Sequence, residues 1–328
     1  MNEELIHEKW MRRCLQLAAY GRENARPNPM VGAVAVVGDR IVGEGYHIRA
    51  GEAHAEVNAI AMVEKKNPKL LKVCTLYVSL EPCSHYGKTP PCAELIIRKQ
   101  IPRVVVGCED PFAKVSGRGI EMLRAAGVEV TVGVLLESCR ELNRTFITFH
   151  TLHRPYVTLK WAETADGKVD RMRSVGDGKI PLQISTPLTQ LRVHRLRAEN
   201  DAIVVGKNTW LKDRPKLTLR HWPGRQPLPF VLGNTEGEAL PKGFRRARNI
   251  DDLFAQLYDL GCQSLLVEGG PETLRTFIES GLWDEAWAET SPQVLGEGVE
   301  APVIPAAHAA ENFTFFGRNY RHWRNRHE

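Results

Sequence analysis

Short runs rich in Val, Ile, Leu and Tyr alternate along this chain with stretches whose apolar residues recur every three or four positions, and the alternation is interrupted once, at His153-Arg154-Pro155. Such alternation confines a chain to layered α/β architectures. A length of 328 residues exceeds what one hydrophobic core usually organises. We therefore expect two α/β domains, residues 1–152 and residues 153–328. In the first, a helix from Glu3 to Tyr20 would be opened by Asn2 and closed by Gly21. Strands Val31 to Val37 and Ile41 to His47 follow, joined through Gly38-Asp39, the composition of a tight hairpin. Helices near Ala53 to Lys65, Pro91 to Lys99, Ile120 to Ala126 and Leu136 to Phe149 then alternate with strands Thr75 to Ser79, Val104 to Gly107 and Val128 to Val132. The second part restarts with strands Tyr156 to Trp161, Ala202 to Val205, Phe230 to Leu232 and Ser264 to Val267. Its helices are Pro187 to Arg197, Asp251 to Leu260 and Glu272 to Glu279. Arg214 to Gly243 reads as loops around one short strand.

Chemistry is concentrated in the first part. His54-Ala55-Glu56 opens a helix, Glu81-Pro82-Cys83 ends a strand, and Cys92 opens the next helix. One imidazole and two thiolates suit Zn²⁺, and three protein ligands leave a fourth position for water, whose pKa the ion brings down to about 7. Residues two apart on a helix do not share a face, so His54 and Glu56 converge on one ion only at a first turn. The spacing predicts His54, Cys83 and Cys92 as metal ligands and Glu56 as a carboxylate that stays off the metal and carries protons. Thr89-Pro90-Pro91 reads as a cap that places the Cys92 sulfur where a helix dipole favours thiolate. A His-x-Glu followed by Pro-Cys-x-x-Cys is the pattern of zinc deaminases acting on nucleobases. Here Ser84 to Pro91 stand between the two cysteines, a longer loop suited by Gly87, Pro90 and Pro91, with His85 as a competing ligand. Cys14, Cys74, Cys108, Cys139 and Cys262 have no partner at ligand spacing and read as small hydrophobes.

Composition sets the remaining limits. Hydrophobic residues at 43% and charged residues at 25% are ordinary for a globular protein, and a formal charge of +5 spread along the chain selects no polyanionic partner. The N-terminal residues lack an apolar signal core, and no apolar run approaches the roughly 20 residues of a membrane span. Seven cysteines, an odd number, argue for reduced thiols. The expectation is a cytoplasmic protein with no membrane partner.

The segment Glu81 to Cys92, with Pro27 to Gly32 upstream and Gly107 to Pro111 downstream, resembles the bifunctional riboflavin-biosynthesis deaminase/reductases. The resemblance continues through Leu159-Lys160, Asp166-Gly167-Lys168, Leu196 to Glu199, Asp201-Ala202-Ile203 and Glu268-Gly269-Gly270, and so covers nearly the whole chain. It implies a cytidine-deaminase-like three-layer domain followed by a dihydrofolate-reductase-like α/β domain. The first would deaminate a diamino-pyrimidinone carrying phosphoribosylamine, and the second would use NADPH to reduce the ribosyl group to ribityl. Carried over motif by motif, Asn28, Arg197, Leu217, Arg220 and Glu268 would touch the phosphorylated pyrimidine substrate. Ala162, Thr209, Asp213 and the turn Gly270, Pro271, Glu272, Thr273, Leu274, Arg275 and Thr276 would lie along NADPH. A homo-oligomer that engages no nucleic acid is the implied state.

Bare chemistry supports the second domain less directly. Glu268-Gly269-Gly270 lies between an apolar run and a helix, where backbone N–H groups can approach a phosphate, and no Gly-x-Gly-x-x-Gly opens this half. Two departures from the resembled pattern stand out: Leu182-Gln183-Ile184-Ser185-Thr186 replaces a Trp-Ile-Thr-like segment, and Asp213-Arg214-Pro215 replaces a double-aspartate turn. A deaminase with an inactive reductase half is therefore the alternative. A nucleic-acid-editing deaminase would need a basic and aromatic surface, for which Arg318 to His327 is the candidate, otherwise a polar chain end. A binding module with a structural zinc has no use for Glu56 beside a three-ligand ion.

Overall fold

Alternating side-chain direction along each strand, set against helices on both faces, builds the first of two units. Residues 3–86, 90–111, 117–176, 180–305 and 310–325 are described by the computed structural model. Contacts divide the chain into Met1–Leu152 and His153–Glu328. In the first unit, strand β1 (Gly32–Val37) pairs antiparallel with β2 (Arg40–Tyr46) and β3 (Thr75–Leu80). Strands β3, β4 (Arg103–Cys108) and β5 (Glu129–Val132) run parallel, giving the order β2-β1-β3-β4-β5. Ala33, Ala35, Leu76, Val78, Val104 and Val106 face one layer of helices: α2 (Ala55–Lys66), α3 (Cys92–Arg98) and α4 (Arg118–Ala125). Val34, Val36, Tyr77 and Val105 face the other layer, where α1 (Glu3–Ala19) buries Trp10, Met11, Cys14 and Leu17 beside Cys139 of α5 (Leu136–Leu142). The period of two in the strands thus yields a three-layer domain. Asn2, expected to cap α1, lies outside the described residues.

Two glycines bring α2 unusually near the sheet. A Cβ at Gly43 would stand 2.4 Å from the Ala59 carbonyl oxygen, and one at Gly45 would stand 2.7 Å from the Ala59 nitrogen. With no side chain at either position, the first turn of α2 lies on the end of β2, which fixes His54 and Glu56 in space.

The single helix expected from Leu136 to Phe149 is two, α5 and α6 (Arg144–Leu152), separated at Asn143. The Asn143 side chain accepts from the Met30 N–H at 2.8 Å and donates to the Met30 carbonyl at 2.9 Å. An amide committed to a distant backbone competes with helical continuity at its own position.

The second unit is built on an eight-stranded sheet in the order β10-β9-β8-β11-β6-β12-β15-β14. The strands are β6 (Tyr156–Glu163), β8 (Ala202–Gly206), β9 (Leu228–Leu232), β10 (Arg245–Ala247), β11 (Ser264–Val267), β12 (Glu285–Thr290), β14 (Ala310–Phe315) and β15 (Arg318–Arg324). Short strands β7 (Lys168–Asp170) and β13 (Val299–Glu300) pair apart from it. Helices α7 (Pro187–Glu199), α8 (Lys207–Asp213), α9 (Ile250–Asp259) and α10 (Pro271–Glu279) complete the unit. Its core gathers Val157, Leu159, Val204, Phe230, Leu253, Leu265, Phe277, Trp283 and Ala286. Strands β10 to β12 are mutually parallel in their pairings, and β15 and β14 close the edge antiparallel.

The chain end corrects a sequence expectation. Arg318 to Arg324 is neither a polar tail nor a basic patch: it is an inner strand that buries Tyr320, His322 and Trp323, with Trp323 stacked on Trp161 at 5.6 Å between ring centroids. Arg321 pairs with Glu163, and Arg318 lies 3.7 Å from Glu289. Those arginines answer carboxylates of the sheet itself. Strand β12 and helix α8 were also unanticipated, because Glu285 to Thr290 and Lys207 to Asp213 carry no clear apolar period. Among the described residues no helix is long and apolar enough to cross a membrane.

Candidate active sites

In the first unit His54 is the extended N-cap of α2 (φ −71°, ψ 165°), Glu56 follows in the first turn, Cys83 lies beyond β3, and Cys92 opens α3. Local backbone and side-chain contacts hold them together. Asn58 donates to the Tyr46 carbonyl at 2.9 Å, and the Cys92 N–H donates to Cys83 Sγ at 3.3 Å. Among the described residues no side chain caps helix α3, which begins after Pro91; Thr89, expected to supply a cap, and Gly87 lie outside the described residues. His54 Nδ1 stands 3.6 Å from Cys83 Sγ and 3.3 Å from Cys92 Sγ, and all three donor atoms lie within 4.8 Å of one another. A tetrahedral zinc with bonds of about 2.3 Å to sulfur and 2.05 Å to nitrogen separates those atoms by roughly 3.6 Å. The donor set and its spacing therefore fit zinc. Among the described residues His85 is not part of the cluster.

The electrostatics suit a cation. Hydrogen bonds from Cys92 and then His54 pull the Cys83 thiol down to about 4, and its thiolate in turn lifts His54 to about 9. Burial pushes the Glu56 carboxyl up to about 7. By contrast burial raises the thiols of Cys14, Cys74, Cys108, Cys139 and Cys262, as befits small hydrophobes.

Two groups around this centre escaped the sequence reading. His47, buried beneath the site, donates from Nδ1 to the Ala53 carbonyl at 3.1 Å, so its Nε2 accepts from the Asn28 amide at 3.1 Å; its ring lies edge-on to His54 at 5.4 Å. Asn28 is thereby tied, with its amide orientation fixed, to the ring that packs edge-on against His54. The other is Glu81, 4% exposed, whose carboxylate accepts backbone N–H groups from Asp110, Gly117, Gly119 and Ile120. It ties the approach to α4 against the strand end that carries Cys83. No sequence period announces either role.

The second unit holds a cavity of about 940 Å³, at the upper end of the roughly 300–1,000 Å³ usual for small-molecule sites. Ala162, Thr209, Asp213 and every residue from Gly270 through Pro271, Glu272, Thr273, Leu274 and Arg275 to Thr276 line it, as do Arg197, Arg220 and Glu268. Leu217 does not: its side chain is buried with Ile203, Val205 and Trp210. The Gly270 N–H donates to Thr209 Oγ1 at 2.9 Å, and no side chain caps α10, so the first amides of that helix remain available to a phosphate. A Cβ on Gly270 would sit 2.9 Å from Thr209 Oγ1, so the backbone there approaches its neighbour as only glycine permits. These features fit a dinucleotide.

Arg197 and Glu268 meet each other, through Nε–Oε1 at 2.8 Å and Nη2–Oε2 at 2.7 Å. Burial alone would raise Glu268, but the adjacent guanidinium overrides it and holds the carboxyl low. Asp213 accepts from Arg173 at 2.8 Å, and Arg173 also pairs with Asp170, which binds the Leu182 N–H. Arg173, in the cavity wall, was not anticipated; the divergent run after Lys168 gave no pattern to read.

A zinc-ligand cluster in a three-layer domain and a phosphate-ready cleft in a second α/β unit define a two-domain deaminase/reductase. Residues 5–108 match the family described as cytidine and deoxycytidylate deaminase zinc-binding region, and residues 155–313 match the RibD C-terminal domain. The chain is 40% identical over 326 residues to the riboflavin biosynthesis protein RibD of Aquifex aeolicus (strain VF5), covering 90% of this chain and 89% of the relative. Its fold matches a crystal structure from Thermotoga maritima described as a diaminohydroxyphosphoribosylaminopyrimidine deaminase/5-amino-6-(5-phosphoribosylamino)uracil reductase (TM-score 0.87, 33% identity, 99% of this chain and 100% of that one). Acinetobacter baumannii RibD in one crystal form matches at TM-score 0.87 and 28% identity over 99% of this chain and 100% of the other. The chain belongs to the RibD family, the bifunctional deaminase/reductases of riboflavin biosynthesis. Its first domain is cytidine-deaminase-like, its second dihydrofolate-reductase-like, and its cofactors are zinc and NADPH. Its substrate class is a small pyrimidine.

Proposed function

We propose that residues 1–152 deaminate a diamino-pyrimidinone bearing phosphoribosylamine and that residues 153–328 then reduce its ribosyl group to ribityl. The observation that carries this reading is the convergence of His54, Cys83 and Cys92 within 4.8 Å beside the buried carboxyl of Glu56. His54, Cys83 and Cys92 would hold zinc, which would supply the Lewis acidity that makes a water acidic near neutral pH. Glu56, off the metal, takes the proton that water loses and returns it to the departing amino group. Asn28, which donates one of its two amide N–H groups to His47, keeps Oδ1 for an amino or imino group of the ring.

In the second domain the Gly270–Thr276 turn, Thr209, Asp213 and Ala162 would hold NADPH, which would supply a hydride. Glu268, oriented by Arg197, and Arg220 bind the substrate. The Glu268 carboxylate suits ribosyl hydroxyls and the Arg220 guanidinium suits the phosphate. The protein works on free nucleotides rather than nucleic acid, a reading supported by the carboxylate-paired arginines of β15. Unpaired cysteines support a cytoplasmic setting, and the outer edge of β14 supports a homo-oligomer.

One assay tests the core of this: the purified, zinc-analysed chain is given the diamino substrate, and ammonia and NADPH are followed separately. One zinc per chain, ammonia release without NADPH, and NADPH consumption only after deamination are expected. Ammonia release with no subsequent fall in nicotinamide absorbance would leave a deaminase whose second domain is silent.

A further inference from the structure

The cavity of the second unit contains a buried imidazole with no part in the chemistry so far. His194 lies on α7 one turn before Arg197, is 3% exposed, and lines the cavity. Its Nδ1 is 3.1 Å from the backbone nitrogen of Arg220. A backbone N–H can only donate, so Nδ1 carries a lone pair and the ring is neutral with its proton on Nε2. The surroundings enforce that state. Burial, then the charges of Arg197 and Arg220 and the neighbouring His221, bring the ring down to about 4, against a smaller opposing pull from Glu268. The His221 ring meets it edge-on at 4.8 Å.

The same loop is held at a second point. Arg197 Nη1 donates to the Thr218 carbonyl at 3.1 Å while its other nitrogens are committed to Glu268. Helix α7 therefore grips residues 218–220 twice, through side chains one turn apart. The two arginines then differ in kind. Arg197 is neutralised by a bidentate carboxylate, whereas the Arg220 guanidinium donates to the Thr218 hydroxyl at 3.5 Å. Of these two arginines it is Arg220 whose charge is available to an incoming phosphate, and its placement depends on the backbone that His194 holds.

We propose that His194 is a positioning residue of the reductase site: as a neutral acceptor for the Arg220 N–H it sets the Arg220 guanidinium against the phosphate of the ribosyl substrate. The proposal rests on the reading of Arg220 as a substrate contact. An Asn at position 194 carries an amide oxygen near the place of Nδ1 and keeps the acceptor; a Gln carries its amide about one bond too far out.

The test is steady-state NADPH oxidation by the full chain with the deaminated phosphoribosylaminouracil, across H194N, H194Q, R220Q and the double variant H194Q/R220Q. Loss of one hydrogen bond of this kind should raise the substrate KM by about tenfold in H194Q, with kcat and the NADPH KM within about twofold of the parent. H194N should stay within about threefold of the parent. R220Q should raise the substrate KM at least as much, and the double variant should add nothing to it, since both changes remove one effect. Equal KM values for H194N and H194Q, or additive effects in the double variant, overturn the role of His194. An unchanged substrate KM in R220Q overturns instead the assignment of Arg220, and the two failures are told apart by that variant alone.

Discussion

Glu56 is buried to 3% exposure in the first turn of α2, and burial lifts its carboxyl to about 7, so the group can hold or release a proton near neutrality. Replacing it with Gln keeps the volume and removes the titration. Glu56→Gln should retain one zinc per chain, because His54, Cys83 and Cys92 are untouched, while deamination falls by at least about a thousandfold, within the range for a lost general acid–base group. Zinc analysis with an ammonia assay decides it; turnover near the parent level would remove Glu56 from the mechanism. These four residues were legible in the sequence because their chemistry is scarce and their positions, a helix start, a strand end and a second helix start, already imply convergence. His47, Glu81 and His194 were not legible. Each acts through a bond to a backbone group or amide remote in sequence, Asn28 for His47, the Gly117–Ile120 amides for Glu81, Arg220 for His194. No single-residue preference encodes such a pairing.

Between elements, the segment connecting β7 to α7 is where this chain departs from the pattern it resembles, and the structure gives the departure a frame. Asp170 accepts from Arg173 and from the Leu182 N–H, and Arg173 reaches across to Asp213 at the end of α8. Arg173 is 5% exposed in its side chain, and the two carboxylates hold its charge firmly. Asp213, in the wall of the cavity proposed to take an anionic cofactor, is thus presented as half of an ion pair. Arg173→Met would leave Asp213 an unpaired negative charge in the cavity wall. The NADPH KM should rise by about tenfold, equivalent to roughly 1.4 kcal/mol of like-charge repulsion and lost orientation. Arg173→Met combined with Asp213→Asn should recover much of that loss, and deamination should be unaffected in both. Steady-state NADPH titrations distinguish this from simple unfolding, which would lower kcat in both variants alike. Elements of clear period, such as β8, β11 and α10, could be read from sequence. The strand β15 could not, since its alternation is written in Arg, Tyr, His and Trp, whose polar ends mask the buried bodies. The break between α5 and α6 likewise depends on Met30, far along the chain from Asn143.

At the scale of the molecule each unit has its own apolar core, one around Ile60, Leu76 and Leu123, the other around Leu159, Phe230 and Phe277. The metal's binding energy therefore belongs to one unit. Ligation favours the folded state over the unfolded chain by an amount that grows with free metal over its dissociation constant, and removing the ion forfeits that amount where the ligands reside. In a domain of this size each 1 kcal/mol forfeited lowers the melting temperature by about 2–4 °C. Treatment with a chelator should abolish ammonia release and lower one thermal transition by several degrees. NADPH oxidation with the already deaminated substrate should persist within about twofold, because among the described residues none in the 940 Å³ cavity wall comes from the metal-binding unit. The measurement pairs a calorimetric scan with the two assays on the same chelated sample. A parallel loss of both activities, restored together by zinc, would mean that the reductase cleft depends on the integrity of the deaminase unit, and the division of labour drawn from the separate cores would be wrong.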